Sequence, residues 1–352
     1  MDSYISNKFL FNKKWIFSFL LVLTLFLMLG CEPNNKKEKF QEVLLQGKTM
    51  GTTFTVKVFV PESEVRSLNL FSDIKDLLAE INQSMSTYID DSEISQFNRL
   101  EASTVFPLSA DFRTVMTESI RLAQSTKTFD VTMGPLIDLW GFGPDKQPTK
   151  VPTAEQLESI KEKMGVDKLS LSNAGLTKSI QELELSFSAI AKGFGVDKVA
   201  ELLEINGYTN YMVEIGGELR LSGTKPNGAL WRIAIEQPDP SLFQRAVHKE
   251  LKLGTISVAT SGDYRIFYEL EGETYAHIIS PETGKPIKQD LVSVTVLHPS
   301  SMTADALATA LTVMGTEKAK VYAEENDIAV YLISKTTEGL MSYSSPQFAP
   351  YL

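Results

Sequence analysis

The stretch from Thr255 to Gly315 constrains the fold most, because strand and turn signals follow one another closely there and lead into a helix. A strand-like run ends in a small-residue turn at residues 259–263, and a hairpin turn is centred on residues 271–273. The alternating run at residues 292–296 predicts another strand, after which a helix begins. Strands joined by hairpins, with long helices gathered between them, are typical of an α+β fold with largely antiparallel sheets and packed helices.

The rest of the chain repeats this pattern. From Leu44 an alternating run predicts a hairpin whose tip is formed by residues 48–53. Apolar residues at three-to-four spacing predict helices, and a capping box at Thr153–Gln156 marks the start of one of them. The predicted helices cover residues 65–85, 111–125, 154–165, 316–326 and a stretch running from the block 186–197 to Asn206. Further strands are predicted at residues 211–218, 231–238 and 327–334, and residues 144–178 are interpreted as a peripheral helical excursion.

The first thirty residues have the composition of a targeting segment rather than of a folded domain. Three lysines precede an apolar run of about fifteen residues, which is short for a membrane span. Gly30 followed by Cys31 looks like a bacterial lipobox with Cys31 as the lipidated residue, and an uncleaved N-terminal anchor is the alternative. We therefore predict a lipoprotein signal peptide at residues 1–30, a polar tether at 31–43 and one large domain at 44–352.

Composition excludes several classes of function. The formal net charge is −10, and an acidic chain does not suggest binding to nucleic acid. A single cysteine provides no disulfide framework, and its position in the lipobox explains it better than a catalytic role. The glycine-rich segments match neither a G-x-G-x-x-G loop after a strand nor a P-loop, so a Rossmann-type or kinase-like nucleotide site is not expected.

Asp305 and Thr309 form a candidate metal site on the helix that ends the central stretch. Residues four apart lie on one face of a helix, so this carboxylate and this hydroxyl can point at the same ion. Mg²⁺ prefers a few hard oxygen ligands and completes its octahedron with water or phosphate oxygens. From the two residues alone, the alternative is an acid favoured by the helix dipole and a threonine on a packed face.

Several blocks surround this pair in an order found in one known family. Residues 259–264 read ATSGDY, residues 277–286 read HIISPETGKP and residues 304–310 read ADALATA. Together with MSTY at 85–88 and FDVTMGPL at 129–136, they resemble the ApbE family. The resemblance implies a T-fold-like architecture with a flavin in a cleft, and a periplasmic lipoprotein that acts as an FAD:protein FMN transferase. The protein would then be anchored to the cell membrane through Cys31 and face the periplasm, with inner or outer membrane left open.

The resemblance also implies roles for individual residues. Mg²⁺ would be held by Asp305, Thr309 and the backbone carbonyl of Ala189, while Lys192 would pair with the pyrophosphate. Contacts to FAD are implied for Met50, Tyr88, Phe129, Asp130, Val131, Ser186, Lys192 and Ile279. Ser186 departs from the family, in which an aspartate is usual, so the contact made there would lack a negative charge.

Without the resemblance, the same residues have ordinary structural interpretations. Met50 at a strand tip would be core filler, and Tyr88 at a helix exit would be a boundary residue with a satisfied hydroxyl. Lys192 would be a surface lysine on an amphipathic helix. The two interpretations differ in one respect: a functional site requires these residues to lie close together in the fold.

The implied reaction transfers FMN from FAD to a Thr or Ser hydroxyl of an acceptor protein and releases AMP. Such a reaction needs charge neutralisation and in-line placement, for which Asp305 and Lys192 are the catalytic candidates. His277 is the candidate general base, because an unperturbed histidine pKa near ~6.5 suits proton removal at neutral pH. A structural histidine at a strand end is the alternative for His277.

Other outcomes and partners stay open at this stage. A metal-dependent FAD pyrophosphatase would use water in place of the acceptor hydroxyl and release free FMN. A flavin-binding lipoprotein that stores FAD would carry out no chemistry. The resemblance implies acceptors such as subunits of the sodium-pumping NADH:quinone reductase or of Rnf-type complexes, or flavin-carrying reductases.

Overall fold

A computed structural model describes residues 39–65, 69–144, 150–238, 246–262 and 267–352 of the chain. The predicted signal peptide, Cys31 and most of the predicted tether lie outside these ranges, as do Asp263 and Tyr264. The helices among the described residues are α1 Leu70–Met85, α2 Glu93–Arg99, α3 Ala110–Thr126, α4 Gly134–Leu139, α5 Ala154–Lys161, α6 Ala191–Ile205, α7 Ser301–Met314 and α8 Thr316–Glu325.

Fourteen strands accompany these helices in the described ranges. They are β1 Phe40–Thr49, β2 Thr52–Pro61, β3 Leu169–Ser172, β4 Gly175–Lys178, β5 Tyr211–Ile215, β6 Glu218–Ser222, β7 Trp231–Glu236, β8 Val247–Leu253, β9 Ile256–Gly262, β10 Phe267–Leu270, β11 Glu273–Ala276, β12 Leu291–His298, β13 Ala329–Thr336 and β14 Gly339–Ser344. Eight of them form one sheet in the order β1-β2-β5-β6-β9-β12-β13-β14, and all of its neighbours pair antiparallel. The predicted α+β class with largely antiparallel sheets is confirmed.

Local signals locate most elements well. The Thr153 hydroxyl oxygen accepts from the backbone N–H of Gln156, and Oε1 of Gln156 accepts from the backbone N–H of Thr153, so the predicted capping box is present at the start of α5. The β1–β2 hairpin turns at Met50 and Gly51, which both have positive φ, 47° and 70°. Two consecutive residues with positive φ match the right-handed twist of the flanking strands, which favours this tight connection.

Several boundaries differ from the sequence predictions, and four of the differences add or change an element. β1 already begins at Phe40, within the segment predicted as tether. Residues 259–262 belong to β9 rather than to a turn, because they pair with β12. Residues 169–178 form the β3–β4 hairpin, so the region predicted as a helical excursion is partly strand. A further strand, β14, follows the strand predicted to close the chain.

The main core lies between one face of the large sheet and helices α6 and α7. α7 is buried over most of its length, which explains its alanine-rich sequence. β12 is an interior strand of the sheet and is buried on both faces, so Ser293 and Thr295 are buried as well as the valines that follow them. The opposite face is covered by the β7–β8 hairpin through Trp231, Ile233 and Leu251. Within the described ranges, no helix combines the length and apolar character that crossing a membrane requires.

Candidate functional site

The candidate site lies where α6 and α7 cross at close range. The backbone N–H of Gly193, in the first turn of α6, donates to Oδ2 of Asp305 at 2.9 Å. A Cβ atom at position 193 would lie 2.3 Å from the carbonyl oxygen of Ser301 and 2.8 Å from Cβ of Asp305. A side chain would therefore push the helices apart, so glycine is needed for Asp305 to reach the N-terminus of α6.

Lys192 joins this crossing to the sheet. Its Nζ lies 2.9 Å from Oε1 of Glu218 and 3.4 Å from each carboxylate oxygen of Asp305. Glu218 begins β6 directly after the turn formed by Gly216 and Gly217, both of which have positive φ. The predicted catalytic residues Lys192 and Asp305 are thus brought together, and Glu218 joins them.

Burial makes the charges in this group strongly dependent on one another. Asp305 is 4 % exposed and Glu218 is 5 % exposed. Burial alone would lower the pKa of Lys192, but the carboxylates of Asp305 and Glu218 outweigh it and raise that pKa above its ordinary value. Burial raises the pKa of Glu218; Lys192 opposes this rise, and the Asp305 carboxylate adds to it.

Asp305 does not cap its own helix. The side chain of Ser300 accepts from the backbone N–H of Thr303, and the carboxylate of Asp197 accepts from the N–H groups of Ser301 and Met302. The N-terminal donors of α7 therefore have other partners, and Asp305 lies beyond the first turn. This arrangement argues against the interpretation of Asp305 as a helix-start acid.

The oxygens around Asp305 fit a small hard cation. Thr309 follows one turn later on α7 and is half-buried. Ala189 lies just before the N-cap of α6, four residues before Gly193, whose N–H donates to Asp305. Oε2 of Glu218 is buried without a hydrogen-bond partner in the described part of the chain. Mg²⁺ needs one or two carboxylates and keeps several waters or phosphate oxygens, so this donor set suits it.

Among the described residues, no group of three His, Cys, Asp or Glu side chains is placed to hold a metal ion. The candidate ligands at Asp305 are instead one carboxylate, one hydroxyl and one backbone carbonyl.

Met50 lies against the same helix. Its Cε atom is 2.9 Å from the position that a Cβ would take at Gly195 on α6. The φ of 47° at Met50 places it in the left-handed region, which is uncommon for a residue other than glycine. The hairpin tip thus brings the predicted flavin-contact residue Met50 within one turn of Lys192 on α6.

A cavity of about 220 Å³ contains two of the predicted FAD contacts, Tyr88 and Ser186. Its other lining residues include Arg99, Asp138, Phe142 and Ser188. Tyr88 is 67 % exposed, and its hydroxyl donates to the carbonyl of Phe142 at 3.4 Å. Burial of the hydroxyl, together with the charge of Asp138, raises the pKa of Tyr88. An exposed aromatic ring among the residues that line a cavity is well placed to stack on a planar ligand.

The predicted contacts at 129–131 have a different position. The side chains of Phe129 and Val131 lie in the main core at 4 % and 2 % exposure, so they do not face the cavity. The carbonyl of Val131 accepts from the backbone N–H of Ser186 at 2.8 Å, which ties this segment to the cavity wall. Asp130 is half-buried, and its Oδ1 accepts from the backbone and the hydroxyl of Thr132.

His277 and Ile279 follow β11. The ring centroids of His277 and Phe142 are 6.5 Å apart, with the rings edge to face. His277 is half-buried, whereas Ile279 is buried in a small apolar cluster with Trp140 and Tyr275. Phe142 also lines the cavity, so it links His277 to the cavity wall, while the Ile279 side chain packs in the apolar cluster.

Sequence reasoning missed two acidic residues of this region, Glu218 and Asp197. Glu218 carried one signal, its position directly after a double-glycine turn. Asp197 ends the block that contains Lys192, at the spacing of one helical turn from Gly193. Neither signal identifies a partner, because the partners lie on distant segments.

Comparisons with known proteins identify the family. Residues 50–332 match the ApbE family. The FAD:protein FMN transferase of Vibrio cholerae serotype O1 is 46% identical over 341 residues, covering 97% of this chain and 99% of that protein. The FAD:protein FMN transferase of Haemophilus influenzae is 44% identical, covering 96% of this chain and 97% of that protein.

Solved structures show the same fold. The flavin transferase ApbE from Vibrio cholerae superposes with a TM-score of 0.81 at 44% identity, covering 89% of this chain and 100% of that one. The apo form of the Pseudomonas stutzeri flavinyl transferase ApbE has a TM-score of 0.80 at 36% identity, with coverage of 89% and 97%. These likenesses extend over nearly the whole of the described residues.

Proposed function

Since this chain belongs to the ApbE family, we propose that it transfers FMN from FAD to a Thr or Ser hydroxyl of an acceptor protein, with release of AMP and dependence on Mg²⁺. The support comes from relatives named FAD:protein FMN transferase that align over nearly their full length. The observation in this chain that carries the proposal is the grouping of Lys192, Asp305 and Glu218 beside the N-terminus of α6.

The proposed step is a displacement at phosphorus. The acceptor hydroxyl oxygen forms a bond to the phosphorus of the FMN half of FAD, and the bond from that phosphorus to the bridging oxygen breaks. The bridging oxygen keeps the electron pair and leaves with AMP. The proton of the hydroxyl passes to a base, for which His277 is the candidate. Its ring contact with Phe142, a residue that lines the cavity, supports this role.

Binding of the pyrophosphate is assigned to the α6–α7 crossing. Bound Mg²⁺ would neutralise the phosphate oxygens and stabilise the charge that develops on them. Asp305, Thr309 and the Ala189 carbonyl would hold the ion, because they supply hard oxygens without excess negative charge. Lys192 would add a positive charge, which its two carboxylate partners keep protonated.

Binding of the flavin and its neighbouring groups is assigned to the cavity and the hairpin tip. Tyr88 offers an exposed ring, Ser186 offers a hydroxyl, and Met50 offers an apolar surface next to α6. Asp130 and the backbone at Phe129 and Val131 would shape the wall behind them. Ser186 binds by hydrogen bonding alone, since it carries no charge.

The location and the acceptor are proposed from the sequence. Lipidation of Cys31 would hold the enzyme at the periplasmic surface of a membrane, and residues 32–39 would tether it. Membrane subunits of the sodium-pumping NADH:quinone reductase or of Rnf-type complexes would then be within reach as acceptors. The acidic net charge of −10 agrees with a protein partner rather than nucleic acid.

The experiment follows the mass of each product. The purified protein is incubated with FAD, Mg²⁺ and a periplasmic acceptor domain, and intact proteins and nucleotides are measured by mass spectrometry. Transfer predicts the mass of FMN on the acceptor, with AMP in equal amount. Free FMN with AMP would instead show a pyrophosphatase, and unchanged bound FAD would show a storage protein; either result contradicts the proposal.

Two variants test the metal site in the same assay. Asp305→Asn removes a charged ligand and Thr309→Val removes a neutral one, so we expect both to lower Mg²⁺-dependent transfer, Asp305→Asn more strongly. His248→Ala on β8 serves as the control, because its side chain bonds to Ser342 and Tyr331 instead. Full activity of Asp305→Asn across a Mg²⁺ titration would remove Asp305 from the site.

A further inference from the structure

The carboxylate of Asp197 on α6 accepts four hydrogen bonds from two other parts of the structure, the start of α7 and β6. Its Oδ2 accepts from the hydroxyl of Ser300 at 2.8 Å and from the N–H of Met302 at 3.0 Å. Its Oδ1 accepts from the N–H of Ser301 at 3.0 Å and from Nη1 of Arg220 at 3.1 Å. Asp197 is 7 % exposed, so these bonds are shielded from competing water.

The position of Asp197 on α6 gives these bonds a consequence for the site. Asp197 follows Gly193 by four residues, so both lie on the face of α6 that meets α7. Gly193 binds the carboxylate of Asp305, and Asp197 binds the start of the same helix. α7 is therefore attached to α6 at two points one turn apart, which sets both its rotation and its displacement along α6.

Arg220 on β6 compensates the negative charge of Asp197. Its guanidinium bonds to Asp197 through Nη1 and to Glu204 through Nη2 at 3.0 Å. A buried carboxylate without such a partner would be costly and would repel Asp305 on the next turn. Arg220 and the N-terminal N–H groups of α7 compensate the buried charge of Asp197, so its carboxylate can hold the start of α7 in the ionised form.

We infer that Asp197 is a positioning residue of the transfer site: it fixes α7 so that Asp305 meets Lys192 and Gly193. Asp197 touches neither Lys192 nor Asp305, and it acts through the placement of α7. As a consequence, which rests on the proposed function, Asp197 sets the affinity of the site for Mg²⁺. Partners that orient metal ligands typically change metal affinity by about 10–100-fold when they are removed.

The test compares Asp197→Asn with Glu204→Gln in the full-length mature protein. The asparagine keeps the size but presents an NH₂ group to N–H donors, so one of the two bonds to α7 is lost. Glu204→Gln removes the other carboxylate partner of Arg220, at a residue that binds Arg220 and Tyr211 rather than α7. The first measurement is the dissociation constant for Mg²⁺ alone, by calorimetric titration.

We expect Asp197→Asn to weaken Mg²⁺ binding by about 10-fold or more, and Glu204→Gln to leave it within about twofold. Saturating Mg²⁺ should restore most of kcat in Asp197→Asn, which a general loss of folding would not allow. An unchanged Mg²⁺ dissociation constant in folded Asp197→Asn overturns the inference, as does an equal loss in both variants.

Hydrogen exchange provides a readout that needs neither Mg²⁺ nor activity. The amides of residues 301–305 should exchange faster in Asp197→Asn than in the wild type, and they should keep their protection in Glu204→Gln. If the wild type binds no Mg²⁺, the metal part of the proposed function fails, and this exchange pattern alone decides the positioning role. Unchanged exchange at residues 301–305 overturns it.

Ser300→Ala covers the case in which Asp197→Asn does not fold. This variant removes one donor to Asp197 and the side-chain cap of α7, while the bonds from Ser301 and Met302 remain. A smaller change in the same direction, in Mg²⁺ affinity and in exchange of residues 301–305, supports the inference. Wild-type values for both overturn it.

Discussion

At the scale of single residues, the site is defined by one ammonium group placed between two buried carboxylates. Lys192 bonds to Glu218 and Asp305, and burial raises the pKa of Glu218 to about 8, so its carboxyl group favours the protonated form at neutral pH. Oε2 of Glu218 has no hydrogen-bond partner in the described part of the chain. A divalent cation bound at Asp305 would favour the ionised form of Glu218, which links this group to the proposed Mg²⁺.

Asp130 allows a prediction for pH dependence. Burial raises its pKa, although both of its hydrogen bonds from Thr132 oppose the shift. Because the folded pKa lies above the unfolded value, ionisation of Asp130 destabilises the fold, and the penalty grows as pH rises from the unfolded to the folded pKa. We expect Asp130→Asn, which keeps an acceptor oxygen, to raise the melting temperature at pH 7 and to lose this advantage near pH 4.

Thermal unfolding between pH 4 and pH 8 measures this difference. Glu338→Gln, which changes an exposed carboxylate in the β13–β14 turn, serves as the control. A melting temperature of Asp130→Asn that stays below the wild type at every pH would show that the charged form is favoured in the fold.

At the scale of elements, the crossing of α6 and α7 decides whether a site exists. Gly193 and Gly195 both lie on α6, but they face different neighbours. Gly193 meets backbone atoms of Ser301 and the Cβ of Asp305, which have little freedom to move. Gly195 meets the end of the Met50 side chain, which is flexible.

Alanine at each position should therefore have opposite consequences. Gly193→Ala forces the helices apart, and we expect a loss of roughly 1–3 kcal/mol in the free energy of unfolding, as for overpacked cores. Gly195→Ala gains helix propensity of up to about 1 kcal/mol, which offsets the small movement of Met50. Urea unfolding of both variants measures the contrast. Equal stability of the two would mean that the crossing tolerates displacement.

At the scale of the whole molecule, one antiparallel sheet supports elements that are far apart in the sequence. β5 and β6 present the double-glycine turn and Glu218, and β12 leads into α7. The described residues from Phe40 to Leu352 form one compact unit, so the site depends on a single core. The residues before this unit carry the proposed anchor at Cys31.

The anchor can be tested separately from the fold. We expect Cys31→Ser to abolish lipidation and maturation, so that the apolar run of the signal peptide stays attached to the protein. Its melting temperature and its FMN transfer in solution should match those of the lipidated protein, because β1 begins only at Phe40. Mass spectrometry of the processed N-terminus checks the modification. A lipid mass that persists in Cys31→Ser would contradict the lipobox.

The sequence by itself was sufficient for the fold class, the family and most element positions. These features depend on a few neighbouring residues and can therefore be recognised in the sequence. Examples are the alternation along β2, the capping box at Thr153 and the turn at Met50 and Gly51. The same holds for the spacing of Asp305 and Thr309 on one helix. The remaining candidate site residues were found because they lie in motif blocks that resemble the family, and the resemblance implied their roles.

Only the tertiary structure decided which of these residues meet and which additional residues join them. Lys192 reaches Glu218 across 26 positions and Asp305 across 113, and Asp197 reaches Ser301 across 104. Such contacts depend on how the sheet places α6 against α7, and no local pattern encodes that placement. For the same reason the core position of the Phe129 and Val131 side chains could not be predicted. An apolar residue beside a ligand and one in a core have the same local signal, and packing alone separates them.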